Sequence, residues 1–192
     1  MRREGRVGGF ALRALCAMVA ASLLGCSPAA ETAPQGRQET EAYAIYSVYL
    51  DYLAAENELM KNRKVAFIVS ADQDACRDCD DLDRLFPAGA LRPETVADFR
   101  RRAGRPFTLK PALRLPHETY VLAGAEPKDR SEDGATTVRM SLSPVGFDNG
   151  FTQGLFRVDF AIHECRGGGE VLMQRSGDLW AVAQDVISFL CR

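Results

Sequence analysis

The residues best suited to chemistry are two cysteines separated by two residues, Cys76 and Cys79. Such a pair is typical of thiol–disulfide oxidoreductases, in which a strand precedes the pair and a helix N-terminus lowers the pKa of the attacking thiol. The apolar run Val65–Val69 could supply that strand. Nearby aspartates would raise the thiol pKa through their negative charge, and this disfavours redox activity. They are Asp74, Asp78, Asp80, Asp81 and Asp83.

Structural disulfides are the alternative use of these thiols. Of the six cysteines, Cys16 would leave with an export signal and Cys26 would carry a lipid, so Cys76, Cys79, Cys165 and Cys191 remain. An even number of cysteines in an oxidising compartment predicts disulfide bonds. Four cysteines allow three connectivities, and the sequence does not choose among them. On the loop-entropy estimate, a Cys165–Cys191 bond would stabilise the fold by about 3.5 kcal/mol and a Cys76–Cys79 bond by about 2 kcal/mol.

A metal site is a third use of the same thiols. His163 and Cys165 lie two residues apart on a predicted strand and would share a face. Together with Cys76 and Cys79 they would offer three sulfurs and one nitrogen to zinc. We predict no metal, because a histidine on a strand's polar face is usually solvated and thiols oxidise outside the cytosol. With two histidines and no nucleophile elbow, hydrolytic chemistry is unsupported, so the sequence predicts no catalytic residue and no cofactor.

Cys26 indicates a different chemistry, the attachment of a lipid. It follows Leu23-Leu24-Gly25, as in the bacterial lipobox, where the thiol is lipidated and the preceding bond is cut. Upstream lie a basic leader and the uncharged run Ala14–Leu24, which is too short to span a membrane because spanning takes about 20 apolar residues. We expect residues 1–25 to be a lipoprotein signal peptide. The alternative is an ordinary secretory signal cleaved near Ala29-Ala30.

Lipid on Cys26 would place the protein in the cell envelope, anchored to a membrane on its periplasmic face. Ser27 follows the cysteine, and the absence of Asp there favours the outer membrane over the inner one in a host that has both. Residues 26–40 are rich in proline, glycine and glutamine and have no apolar periodicity, so we expect a flexible lipidated tether. Residues 41–192 then form a single globular domain, long enough for a sizeable core.

Net charge argues against one class of partner. The 192 residues carry a formal net charge of −2, and removal of the basic leader makes the mature chain more acidic. Nucleic-acid binding depends on Lys and Arg that face phosphates, so an acidic domain without a basic stripe predicts no nucleic-acid partner.

Helix and strand patterns predict the elements that must position these residues. Glu41–Lys61 has apolar residues at helical spacing and four tyrosines, which we interpret as core residues rather than a ligand wall. Glu94–Ala103 lies between Pro93 and Gly104, which suit a helix start and stop. Six runs predict strands: Val65–Val69, Thr119–Ala123, Val138–Leu142, Gln153–Glu164, Val171–Gln174 and Leu179–Ala183.

Short connections between the later strands favour antiparallel pairing. We therefore predict an α+β fold, with an antiparallel sheet of about five to six strands and two or three helices packed on one face.

Four stretches of the C-terminal half follow one another in a recognisable order. They are Leu142-Ser143-Pro144-Val145-Gly146-Phe147, Thr152-Gln153-Gly154-Leu155, Gly167-Gly168-Gly169 and Gly177-Asp178-Leu179-Trp180-Ala181-Val182. The order resembles an uncharacterised group of bacterial, often exported, proteins with an S-x-V-G-F-N turn, a T-Q-A-L-V strand, a glycine-rich loop and a G-x-W-x-V strand. The chain departs from that pattern with Asp148-Asn149 in place of a single Asn and Gly154 in place of Ala.

The resemblance implies a fold and carries no activity. Its residues suit structural roles, since Gly146 and Gly167–Gly169 would permit positive φ at turns and Trp180 would anchor the core.

These observations predict a lipid-anchored cell-envelope protein with a disulfide-stabilised, non-catalytic domain for binding or interaction. Its partners would be the membrane, through Cys26, and an envelope protein or a small ligand. The alternative is a membrane-tethered thiol–disulfide oxidoreductase that uses Cys76 and Cys79.

Overall fold

The computed structural model describes residues 32–57, 60, 65–72, 81–103, 105–109 and 136–191 of the chain. The predicted strand Thr119–Ala123 and the cysteines Cys26, Cys76 and Cys79 lie outside these ranges. The elements within them are α1 (Thr32–Glu56), β1 (Val65–Ala71), α2 (Leu82–Leu85), α3 (Pro93–Ala103), β2 (Thr136–Leu142), β3 (Gly146–Phe147), β4 (Gln153–Ile162), β5 (Cys165–Ser176) and β6 (Leu179–Cys191).

The described strands form one six-stranded sheet in the order β1-β2-β4-β5-β6, with the short β3 also paired to β4. The pair β1–β2 is parallel, and the other pairs are antiparallel. Parallel strands need a long crossover, and the chain between Ala71 and Thr136 provides one that includes α2 and α3. The structure confirms the predicted α+β fold, with one parallel pair in a mostly antiparallel sheet.

The last two strands are longer than their apolar patterns indicate. β5 runs from Cys165 and β6 continues to Cys191, whereas alternation marks only Val171–Gln174 and Leu179–Ala183. Cross-strand hydrogen bonds between backbones do not depend on the side chains, so pairing extends through the glycines and polar residues of β5. Gly177 closes the β5–β6 hairpin at a φ of 61°.

Helices lie on both faces of the sheet, which corrects the expectation that they share one face. Phe156 of β4 faces α1, whose Tyr46 and Tyr49 rings lie 5.6 and 5.2 Å from its ring, centroid to centroid. The preceding residue, Leu155, packs with Phe99 of α3 in a separate buried cluster. Because successive strand residues point to opposite faces, α1 and α3 lie on opposite sides of β4. We call these sides the α1 face and the α3 face.

Helix α1 begins at Thr32 rather than at Glu41 and ends at Glu56. Residues 32–40, which we expected to be part of a flexible tether, are helical. Pro34 and Gly36 did not prevent helix formation, since Pro34 falls in the first turn, where a missing N–H costs no intrahelical hydrogen bond. The chain divides into two compact units, Met1–Arg37 and Gln38–Arg192. The part of α1 that carries the core residues belongs to the second unit.

Helix α3 confirms the prediction from its flanking residues. It begins at Pro93, and both Val96 and Phe99 are buried. Phe99 comes so close to β3 that a Cβ on Gly146 would overlap its backbone. Gly146 is thus required by close packing and not by a positive φ.

Candidate functional site

A polar groove lies on the α3 face, where β4, β5 and β6 run side by side. Its volume is about 390 Å³. The register places Asp159 of β4, Gly168 of β5 and Ser188 of β6 in one cross-strand row. Its walls are completed by Arg157, Arg166, Gly167, Phe189 and Leu190.

Arg157 lies in the groove between two carboxylates, one row from Asp159 and Gly168. Its Nη1 donates to Glu170 Oε1 at 2.8 Å, and its Nε and Nη2 donate to the two oxygens of Asp159 at 3.1 and 3.2 Å. Partial burial alone would lower the pKa of Arg157, but the hydrogen bonds and charges of the two carboxylates outweigh it and raise the pKa. The guanidinium is therefore held in a fixed orientation by two carboxylates.

Arg166 differs from Arg157 in being open to a ligand. Its side chain is exposed at the end of the groove, and within the described part of the chain it makes no ion pair or hydrogen bond. The Ser188 hydroxyl bonds back to the Gly168 carbonyl oxygen at 3.3 Å and keeps acceptor capacity. This end can bind an anionic or hydrogen-bonding group.

The glycine run Gly167–Gly169 lies inside β5, which corrects the expectation of a loop with positive φ. None of the three has a positive φ. A Cβ on Gly168 would overlap the Asp159 carboxylate, and one on Gly169 would overlap the Val186 carbonyl oxygen. The run is needed because neighbouring groups come too close for any side chain.

Cys165 and Cys191 form a disulfide at the end of β5 and β6. They are direct cross-strand partners. The bond selects one of the predicted pairings and removes Cys165 from the predicted zinc set, because a disulfide sulfur is not a thiolate ligand. His163 lies in the exposed β4–β5 turn at a φ of 51° rather than on a strand. Among the described residues, no group of His, Cys, Asp and Glu could hold a metal ion.

The loop that follows β3 contains Asp148, where the chain departs from the pattern of the similar group, and has a structural role. Asp148 is buried and accepts hydrogen bonds from the backbone N–H groups of Thr152 and Gln153 at 2.7 and 2.8 Å. The Gln153 side chain accepts from the Arg92 N–H and donates to the Ala90 carbonyl oxygen. These bonds join the loop to the start of α3.

Trp180 is buried, as the sequence predicts, with 7% of its surface exposed. Its indole N–H donates to Glu41 Oε2 at 2.8 Å, and Arg175 donates to Glu41 Oε1 at 2.7 Å. The ring packs beside Phe147 of β3. It therefore anchors α1 to the β5–β6 hairpin.

Tyr46 and Tyr49 of α1 are buried, which confirms their interpretation as core residues. Their hydroxyl groups differ in hydrogen bonding. The Tyr46 hydroxyl donates to the Ser143 carbonyl oxygen at 2.6 Å. The Tyr49 hydroxyl is buried without a hydrogen-bond partner. Burial, followed by the charge of Asp185 on β6, raises the pKa of Tyr49 well above its ordinary value.

Sequence patterns identified the polar side of β4 but not the groove. Arg157 and Asp159 alternate with buried aromatic residues, which was the available signal. Glu170, Arg166 and Ser188 join them only through the register of β5 and β6.

The comparisons with known proteins return no relative. No family model matches the chain, and no curated protein or solved structure matches it significantly. Among the described residues, no helix is both long enough and apolar enough to span a membrane.

Proposed function

We propose that this chain is a lipid-anchored cell-envelope protein whose disulfide-stabilised domain binds a partner without catalysing a reaction. The observation that carries the proposal is the groove beside β6. Arg157 is held by two carboxylates, whereas Arg166 and Ser188 are accessible. Fixed charges suit recognition, because proton transfer needs a group whose charge changes near the working pH.

The lipid anchor on Cys26 is tested by membrane fractionation of cells that express the full chain. We expect Cys26→Ser to leave the membrane fraction or to accumulate unprocessed, because the thiol that receives the lipid is gone. Ser27→Ala is the matched control and should fractionate like the wild type. A Cys26→Ser protein that still fractionates with membranes would refute the anchor.

Binding through the groove is tested by photo-crosslinking of the full chain in its membrane. A photoreactive side chain at Ser188 should give adducts, whereas the same group at the exposed Glu56 should not. Equal adducts at both positions, or none at Ser188, would contradict recognition through this groove.

A thiol–disulfide exchanger is the second candidate. With Cys165 bonded to Cys191, Cys16 removed and Cys26 lipidated, an intramolecular disulfide of Cys76 can form only with Cys79, which is the pairing that exchange requires. Non-reducing peptide mass spectrometry before and after a mild thiol buffer tests it. Reduction of a Cys76–Cys79 bond while the Cys165–Cys191 bond stays intact would favour the exchanger. A Cys76–Cys79 bond that survives the buffer would favour a structural role.

A further inference from the structure

The last strand, β6, is an edge of the sheet. Among the described strands it pairs with β5 along one side and has no strand on the other. It spans Leu179–Cys191, the longest strand in the described sheet. An edge strand presents unpaired N–H and C=O groups at every second residue, and another extended backbone can pair with such a row.

Exposed apolar side chains concentrate on this strand. Leu179 is 77% exposed, Leu190 is 69% exposed and Phe189 is 45% exposed, and they are the exposed large hydrophobic residues of the described chain. Leu179 lies at one end of β6, and Phe189 and Leu190 lie at the other. Exposed apolar residues at both ends of an unpaired edge are a feature of an interaction surface.

β6 lacks two of the features that keep an edge strand from pairing, proline and lysine. It has one bulge, at Ala183, and one charged residue, Asp185. Asp185 is half-buried and makes no hydrogen bond or ion pair within the described part of the chain. Its register partner is Val171, which places its side chain on the α1 face.

The charge of Asp185 distinguishes two kinds of strand that could pair with the edge of β6, one from a second copy of the chain and one from a different protein. It is the middle residue of β6, so two copies paired antiparallel over their full length would place Asp185 opposite Asp185. Like charges directly opposite each other destabilise a strand pair, whereas opposite charges stabilise it. The edge is therefore better matched to a strand with a basic residue at this position.

The tyrosines beside Asp185 also favour a basic side chain in the partner strand. The charge of Asp185 raises the pKa of both Tyr49 and Tyr52, after the larger effect of burial, so the three groups lie close together. Tyr49 and Tyr52 stack at 6.2 Å, and Tyr52 is partly exposed whereas Tyr49 is buried. A Lys or Arg side chain opposite Asp185 would interact favourably with the accessible Tyr52 ring.

We propose that the edge of β6, which pairs with no second strand among those described, binds an extended polypeptide segment of another envelope protein, with a Lys or Arg side chain of that segment against Asp185. The backbone of the segment pairs with β6, and its apolar side chains cover Leu179 and Leu190. This inference rests on the proposed binding function and specifies the class of partner.

The test uses the purified full chain in detergent and a fluorescent peptide of about ten residues, the usual length of a long strand. The peptide alternates Val and Thr and carries Lys at its centre, and a second peptide carries Glu there. We expect the Lys peptide to bind about tenfold tighter in fluorescence anisotropy. A Lys peptide with N-methylated backbone amides should not bind, since it cannot pair as a strand.

Charge reversal on the protein provides the decisive comparison. Asp185→Lys should reverse the preference to the Glu peptide. Asp178→Lys makes the same change in the turn before β6, where the side chain is fully exposed, and should keep the wild-type preference. Hydrogen exchange should show protection of β6 amides when the Lys peptide is added.

Three results would overturn the inference: equal binding of the two peptides, an unchanged preference in Asp185→Lys, or a concentration-dependent dimer protected along β6. The last would make a second copy the occupant. These failures differ from failure of the proposed function. If the peptides do not bind while the Ser188 crosslink and the membrane fractionation behave as expected, the binding function stands and only the edge inference falls.

Discussion

At the residue scale, three acidic side chains that are buried or partly buried accept hydrogen bonds from backbone or indole N–H groups. Asp98 of α3 accepts from the Phe147 N–H at 3.0 Å, Asp148 accepts from two N–H groups of its own loop, and Glu41 accepts from Trp180. Each carboxylate thereby satisfies a donor that would be costly to bury alone. Substitutions at these residues should change stability rather than binding.

Trp180→Ala should lower the free energy of unfolding by about 3–5 kcal/mol, because it leaves a cavity between α1 and the β5–β6 hairpin. Trp180→Phe keeps a ring but loses the hydrogen bond to Glu41, so its cost should be smaller. Urea denaturation of both variants checks this. An unchanged free energy of unfolding in Trp180→Ala would contradict the anchoring role.

Asp148→Asn should reduce stability at neutral pH by about 1–3 kcal/mol, because several hydrogen bonds to the carboxylate weaken. Burial alone would raise the pKa of Asp148, but hydrogen bonds from Gln153, Thr152 and Arg92 outweigh it and lower the pKa below 3.8. A lowered native pKa contributes stability that is present above 3.8 and is lost as the pH falls toward the native value.

The difference between wild type and Asp148→Asn should therefore shrink as the pH falls below 3.8. Denaturant titrations from near-neutral to acidic pH measure this difference directly. A difference that stays constant over the range would mean that the carboxylate is not stabilised in its charged form.

At the element scale, β5 shows how a low-propensity sequence becomes a strand. Gly167–Gly169 weaken the intrinsic preference for extended structure, yet β4 and β6 pair with them on both sides. Because the backbones of β5 and β6 and the Asp159 side chain approach closely, larger residues do not fit. The glycines therefore reflect close packing in the sheet rather than turn formation.

Gly169→Ala should destabilise the protein by about 1–3 kcal/mol, because the new methyl group overlaps the backbone of Val186. Gly150→Ala is the matched control, since the nearest atom to its added Cβ is 3.4 Å away, in Thr152. Thermal unfolding compares the two variants. Equal melting temperatures would show that β6 can move aside without cost.

At the scale of the whole molecule, one sheet separates two buried clusters. The larger cluster lies under α1, and the smaller joins α2 and α3 to Leu155 and Leu172. The Cys165–Cys191 bond joins the start of β5 to the end of β6, which is an edge strand among those described. It closes a long hairpin whose end lacks a continuous core contact, since Leu190 is exposed.

A Cys165→Ser, Cys191→Ser double variant should lose about 3.5 kcal/mol of stability, because the unfolded chain regains the entropy of an open loop. Urea denaturation without reductant measures the loss. The wild type under strong reductant should approach the double variant. A loss below about 1 kcal/mol would mean that strand pairing holds this end without the bond.

The sequence by itself determined the α+β class, the helix at Pro93, the strand Gln153–Ile162 and the burial of Trp180. Each depends on local information: a helix-compatible proline, alternation with a period of two, or one large apolar ring. Local patterns also suggested disulfides but left three pairings open. The lipid anchor and the binding function remain predictions of the sequence.

Tertiary structure alone decided which helix covers which face, how far β5 and β6 extend, and which cysteines pair. It also brought Arg157, Asp159 and Glu170 together, because Glu170 meets Arg157 only in the register of β4 and β5. The physical reason is common to all of these features. Register and face are set by contacts between residues far apart in the chain, and a local sequence pattern does not contain the partner that completes them.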